Sequence, residues 1–425
     1  MPADQPDDTT TEPLPVLNTL RDGLPPLVQD ADALAATTAS LASGTGPLAV
    51  DTERAHGFRY GTEAYLLQFR REGSGTHLVD PVPFIGDGPL ATFPELNDAL
   101  TDVEWIIHAA SQDLPCLLMA GLYPTRLFDT ELAGRLLGLD RVGLGPMVER
   151  FFGKHLLKEH SAANWSLRPI PDDWLLYAAL DVELLVELRN LLAAELEAAG
   201  KTTWAEQEFA HVLETFSTPS APRVDPWRRT SGINTVKSAL GMAVVRELWQ
   251  ARDEVAKRLD LAPSKVLPDR AISELASPLA KGSTVPGRGE MRSIEGFRRR
   301  QAHRHESTWM AALDRVRALP ASAFPPVRAP RAEGDIPQPR SWERHEPEAW
   351  DRWGSTRPAI NALAEELHLP PENLLSPDTL RRVTYRPPAD LSEPTLDAAL
   401  ANLGARPWQR DLVVAPLLEA MTATD

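Results

Sequence analysis

Two carboxylates one residue apart, Asp51 and Glu53, close the apolar run Pro47-Leu48-Ala49-Val50. If that run is a strand, side chains alternate and both acids project from one face. Carboxylates held side by side repel each other unless a cation lies between them, and hard divalent ions take such oxygen ligands. Alone the pair says little, since 60 Asp and Glu among 425 residues give about eight acid-x-acid pairs by chance. A second acid, Asp113, follows the apolar stretch EWIIHA just before Pro115. Proline there suits only the first turn of a helix, so Asp113 stands at a strand–helix junction, where an acid also complements the helix dipole. The third pattern is Tyr177 and Asp181, four apart and therefore stacked on one helical face. Leu180, Leu184 and Leu188 supply the buried side, and two polar groups in so apolar a helix are costly unless used.

The elements that must hold these residues follow from periodicity. Short apolar runs predict strands over 47–52, 64–70, 76–79 and 104–109. Helical spacing predicts helices over 114–120, 130–137, 146–152 and 172–198, the last opened by Pro171, Asp172 and Asp173. Strands first and helices later make an α/β domain around a mixed sheet over 27–205, behind an acidic, Pro- and Thr-rich disordered tail over 1–26. Residues 206–229 read as a linker, 230–319 as an all-helical domain, 320–340 as a Pro-rich linker and 341–425 as a last helical domain. LDLAPSKVLPDRAI and LHLPPENLLSPDTL share a helix, a Leu-x-Pro step and a second helix, a weak internal duplication.

Composition excludes several classes. One cysteine, Cys116, rules out an intramolecular disulfide and any Cys-cluster zinc site. No apolar run approaches a membrane span, and the first residues are acidic where a signal peptide is basic and then apolar, so a soluble, cytoplasmic protein is expected. The net charge of −16 hides an asymmetry. Residues 1–220 carry 14 Lys and Arg against 33 Asp and Glu, 221–330 carry 20 against 11, and 331–425 carry 10 against 16. An acidic front half suits metal ions, and a basic middle suits phosphates.

Taken together and in order, Asp51-x-Glu53 on a strand, Asp113 at a junction and Tyr177-x3-Asp181 on a helix resemble the tyrosine-bearing branch of the DEDD exonuclease superfamily. The histidine branch would place a His five residues before the last Asp, where this chain has Leu176. The blocks DTERAHGFRYGTEAYLLQF, IIHAASQDLPCLL, LFDTELAGRLLG, LGPMVERFFG and NWSLRPIPDDWLLYAALDVELL resemble the ribonuclease D family. VRELWQARDEVAKRLDLAPSKVLPDRAISELA is similar to the helicase-and-RNase-D C-terminal (HRDC) domain, and 341–425 is expected to be a second module of that kind. Asn164 departs from the Asp common in the family, and Ser111-Gln112 from an aromatic common in the superfamily.

The resemblance implies a ribonuclease H-like α/β exonuclease fold followed by all-α HRDC-type domains. It implies two Mg²⁺ or Mn²⁺ ions on Asp51, Glu53, Asp113 and Asp181, with Asp51 bridging and Tyr177 orienting the attacking water. The implied reaction is 3′–5′ hydrolysis of single-stranded RNA ends, tRNA precursors among them, to nucleoside 5′-monophosphates; the sequence leaves the oligomeric state open, with a monomer favoured. His108 is a candidate for the 3′-terminal pocket, and Arg228, Arg229, Lys237, Arg298, Arg299 and Arg300 are candidate phosphate contacts, with Trp227 a possible stacking platform. A DNA 3′–5′ exonuclease and a non-catalytic nucleic-acid-binding scaffold remain the alternatives, since sugar choice depends on contacts to the 2′-hydroxyl.

Overall fold

The computed structural model describes residues 13–88, 90–157, 160–216, 223–329 and 334–423. Eight strands occur among them: β1 (Val16–Leu17), β2 (Leu27–Val28), β3 (Thr45–Arg54), β4 (Ala64–Glu72), β5 (Gly75–Val79), β6 (Glu104–Ile107), β7 (Arg126–Asp129) and β8 (His155–Leu156). Six form one mixed sheet in the order β2-β5-β4-β3-β6-β7, and β1 pairs with β8 apart from it. β3 lies inside the sheet, antiparallel to β4 and parallel to β6. Its residues Leu48, Ala49 and Val50 are all fully buried, which explains a continuous apolar run where a half-exposed strand would alternate.

The strands anticipated from sequence lie inside β3, β4 and β5, and β6 is shorter than anticipated; β7 was not anticipated. The stretch read as one helix over 172–198 is two, Asp172–Glu183 and Leu185–Ala198, joined at Leu184. Two boundaries need larger corrections. Part of the segment read as a disordered tail is tied down: Val16 and Leu17 pair with β8, and Arg21 bonds Glu183 through its Nε at 2.8 Å. Residues 1–12 of that tail lie outside the described residues. The segment read as a linker from 206 begins instead inside a helix, Thr202–Phe216, whose Phe209 packs against Phe128 with ring centroids 4.9 Å apart. The same segment ends in a 3₁₀ turn, Pro226–Arg229, that places Trp227 in the core of the middle helical module.

That module is built on the helix Ala239–Leu259, followed by Pro263–Val266 and Asp269–Ala276 and closed by Glu306–Ala318. The C-terminal module repeats the opening order with Pro347–Glu366, Pro371–Leu374 and Pro377–Tyr385, and ends with Glu393–Asn402 and Pro407–Thr422. Among the described residues no helix is long and apolar enough to cross a membrane.

Candidate active site

The end of β3 delivers the first two acids. Asp51 and Glu53 are two apart, so both leave the same face of the strand. The helix Asp172–Glu183 crosses that face and presents Asp181, so that carboxylate oxygens of Asp51, Glu53 and Asp181 lie within 4.8 Å of one another. The helix is held there by Glu183, 2% exposed, which meets Arg70 of β4 at 3.3 Å. The loop before it is held by Arg168, which grips the fully buried Asp80 at 2.6 and 2.8 Å.

Asp113 reaches the site from the other side. It precedes the helix Leu114–Met119 but makes no side-chain capping bond, so its carboxylate is free of the structural duty its position suggested. Instead Thr52 donates its hydroxyl to Asp113 Oδ1 at 2.6 Å, and Arg54 Nη2 stands 3.9 Å from the same oxygen. Thr52 lies between Asp51 and Glu53 and therefore points through the strand to the opposite face. Asp113 consequently stands beside the three-acid cluster and outside it.

The four acids and Tyr177 line one cavity of about 440 Å³, together with Thr52, Arg54, His108, Gln112 and Ser161. Tyr177 stands one helical turn before Asp181 on the same helix, and its ring packs 6.4 Å from that of the fully buried Trp165. Burial raises the Asp51 carboxyl well above the usual range, and the charges of Asp113 and Asp181 raise it further. Glu53 is pushed up to about 10 by burial and then by Asp51, Asp181 and Asp113. Asp113 is pushed up to about 6 by burial, against the lowering effect of the Thr52 bond and Arg54. Burial, then Asp181, Glu53 and Asp51, raise Tyr177 above an ordinary phenol. Such a group is strained when all its members ionise without a cation. Oxygen-only donors converging at this spacing suit a hard divalent ion, so the residues present fit the metal chemistry that the sequence suggested.

His108 lines the cavity and also bonds Thr130 Oγ1 through Nδ1 at 2.9 Å. The proposed phosphate contacts lie elsewhere, on the middle module. Arg229, Lys237, Arg298, Arg299 and Arg300 are exposed. Arg228 is not comparably available: its guanidinium covers the Trp227 ring at 4.3 Å and bonds Asp225 and the Pro326 carbonyl. Trp227 itself is 2% exposed, so its candidacy as a stacking platform is withdrawn. Sequence reasoning passed over Thr52 and Arg54. Thr52 lies between the two acids and Arg54 follows them, but their contact with Asp113 spans about sixty positions and has no local signature.

Family models match the chain in three places: a 3′–5′ exonuclease over 25–197, an HRDC domain over 242–313 and a 3′ to 5′ exonuclease C-terminal domain over 335–421. The ribonuclease D of Jannaschia sp. (strain CCS1) is 32% identical over 325 residues, 74% of this chain and 80% of that protein. The chain belongs to the ribonuclease D family. The ribonuclease D of Gluconacetobacter diazotrophicus is 28% identical over 81% of this chain and 82% of its own. A crystal structure of a protein from Bifidobacterium adolescentis superposes with a TM-score of 0.84 at 36% identity, covering 96% of this chain and all of that one. Escherichia coli RNase D, at 22% identity and a TM-score of 0.65 over 94% of this chain and 98% of its own, shares the fold. The α/β half is thus the exonuclease domain of a hydrolytic 3′–5′ exoribonuclease, and the helical middle is its HRDC domain.

Proposed function

We propose that this exoribonuclease trims single-stranded 3′ ends of structured RNAs, tRNA precursors among them, releasing nucleoside 5′-monophosphates with two Mg²⁺ or Mn²⁺ ions in the acidic cavity. The observation that carries the reading is the convergence of Asp51, Glu53 and Asp181 within 4.8 Å, in a cavity that Asp113 and Tyr177 also line. When bound, divalent ions supply Lewis-acid activation of water and neutralise charge developing on the phosphate. The residues do the rest. Asp51, Glu53 and Asp181 form one oxygen cluster and Asp113, fixed by Thr52, forms a second position beside it. Tyr177 orients the attacking water through its hydroxyl. A phenol raised by its neighbours is a poor base, so its role is to donate and accept hydrogen bonds rather than to remove the proton.

His108 borders the terminal nucleotide in this reading. The exposed Arg229, Lys237 and Arg298–Arg300 guide the tail, while Arg228 contributes chiefly by holding the Trp227 turn. Residues 341–425 are read as a second HRDC-like module, a reading supported by the repeated order of a long helix, a four-residue helix and a short one. The protein is expected to work in the cytoplasm as a monomer.

The test is mononucleotide release from a 5′-labelled single-stranded RNA, beside DNA of the same sequence, with Mg²⁺, Mn²⁺ or EDTA. We expect a metal-dependent ladder shortening from the 3′ end of the RNA. In the Asp51→Asn variant kcat should fall by at least about a thousandfold, roughly 4 kcal/mol, with the fold intact by circular dichroism. Full activity in that variant would sink the assignment, and equal cleavage of DNA would remove the sugar preference.

A further inference from the structure

Six residues beyond Glu53, the loop joining β3 to β4 leaves the exonuclease surface and enters the HRDC module. The Phe58 carbonyl accepts from Ala262 N at 3.1 Å, and Lys265 Nζ lies 5.1 Å from the Phe58 ring centroid. Tyr60 packs against the HRDC core and donates its hydroxyl to Asp253 at 3.0 Å. Between them Arg59 faces two ways. Its Nη1 donates to Asp260 Oδ2 at 3.1 Å on the HRDC side, and its Nε donates to Ser166 Oγ at 2.8 Å on the exonuclease side. Ser166 in turn donates to Asn164 Oδ1 at 2.7 Å. Asn164 and Ser166 flank Trp165, the buried indole packed against the Tyr177 ring.

Asp260 is an unusual residue for its place. It ends the helix Ala239–Leu259 with φ of 48°, the left-handed turn where Gly or Asn is usual. It also sets a negative charge at a helix C-terminus, where the dipole favours a positive one. Side chains that violate two local preferences at once tend to be retained for what they contact. Here the contacts are Arg59 and the Tyr60 backbone N–H, the latter at 3.3 Å.

We propose that Arg59 is a positioning residue that couples docking of the HRDC module, through Asp260, to the loop that seats Trp165 against Tyr177, so that the HRDC module sets the turnover of the site as well as meeting RNA. The inference rests on the reading of Tyr177 as the residue that orients the attacking water. Misplacement of a reacting group by remote changes can cost up to about a hundredfold in rate. Arg59 and Asp260 side chains are 38% and 51% exposed, and exposed pairs are worth little, so the expected effect is smaller.

The experiment measures kcat and KM of the full chain and of Arg59→Ala, Arg59→Lys, Asp260→Asn, Ser166→Ala and the Arg59→Ala/Asp260→Asn double variant, on a short and a long single-stranded RNA. Arg59→Ala should lower kcat about three- to tenfold on both lengths, about 0.7–1.4 kcal/mol, with KM within about twofold. Arg59→Lys should fall between, and the double variant should be no slower than Arg59→Ala alone. An unchanged kcat, additive losses, or a loss confined to KM on the long RNA would overturn the proposal, the last making Arg59 an RNA contact. If Arg59→Ala fails to fold by its melting curve, Asp260→Asn and Ser166→Ala carry the same expectation. Because every variant is read against an active wild type, failure here is distinct from failure of the exoribonuclease reading.

Discussion

The two helical modules open with the same order of helices but meet the exonuclease domain by opposite means. The C-terminal one shares its core: Ile360, Leu380, Leu400, Trp408 and Leu417 belong to the same buried cluster as Val50, Phe69 and Trp105 of the sheet. Trp204 and Trp408 stack with centroids 4.8 Å apart. Glu208, 5% exposed, accepts from Arg406 Nε and Nη2 at 2.6 and 2.9 Å and from Trp408 Nε1 at 2.8 Å. Lys201 Nζ bonds carbonyls from both sides, Leu136 and Leu367. At Gly138, with φ of 74°, a Cβ would come within 2.2 Å of the His368 carbonyl oxygen. The HRDC module keeps a separate core around Val244, Leu248 and Trp309, into which Tyr60 reaches from the exonuclease side. Apolar fusion makes one folding unit of the first pair, while partly exposed polar contacts leave the second pair as neighbours. Such neighbours suit a module that handles a charged polymer, and the basic charge falls on this one.

The largest effect should come from breaking the fused interface. Removing one partner of a buried ion pair strands the other and costs roughly 3–5 kcal/mol. Glu208→Ala leaves Arg406 Nε and Nη2 and the Trp408 N–H without their acceptor. We expect its melting temperature to fall on the order of 10 °C, with the exonuclease and C-terminal module unfolding in one transition by calorimetry. A variant in which the exonuclease transition stays in place would show that the shared core does not couple the two.

A second difference lies in the response to pH. Asp51, Glu53 and Asp113 have folded-state pKa values above their ordinary ones, Asp113 at about 6 and Glu53 at about 10. At these three groups the folded protein therefore holds more protons than the unfolded chain above about pH 4, and their contribution to stability falls as pH rises through those values. In EDTA the exonuclease transition should drop by several degrees between about pH 5 and pH 8. Divalent metal should restore more at the higher pH, since it replaces the missing protons. Glu306 in the HRDC module is lowered instead, by its bond to Arg292. Its transition should not share the alkaline loss, and an equal loss in both transitions would show that the acid cavity is not its source.

How far all this could be read in advance depends on the range of the forces involved. β3 is legible because Leu48–Val50 are apolar without interruption, and β4 and β5 because Leu66, Leu67 and Phe69 and then Leu78 and Val79 form short apolar runs. The four residues of β7, Arg-Leu-Phe-Asp, are too few to show a period, and β1 exists only through pairing with a strand about 140 positions away. The Thr202–Phe216 helix is hard to read because its buried face, Ala205, Glu208 and Phe209, includes an acid whose partner Arg406 comes from the other end of the chain. At the site, the acids and Tyr177 sit on patterned elements and announce themselves by type and spacing. Thr52, Arg54 and the Arg59 contacts do not, because each is defined by a partner brought near only by the fold.

The smallest expected effect sharpens the comparison from the other side. Tyr60 carries the aromatic contact of the exonuclease loop with the HRDC core, and its hydroxyl bond to Asp253 is only partly buried. Tyr60→Phe keeps the ring and removes that bond, a change of about 0.5–1 kcal/mol. Asp253 is not fully buried, so water can take the place of the lost donor. The HRDC transition should shift by only a few degrees, the exonuclease transition should stay in place, and kcat should remain within about twofold because Arg59 and its bond to Ser166 are untouched. A shift as large as that of Glu208→Ala, or one shared by the exonuclease transition, would mean that the HRDC module is fused to the enzyme as firmly as the C-terminal one.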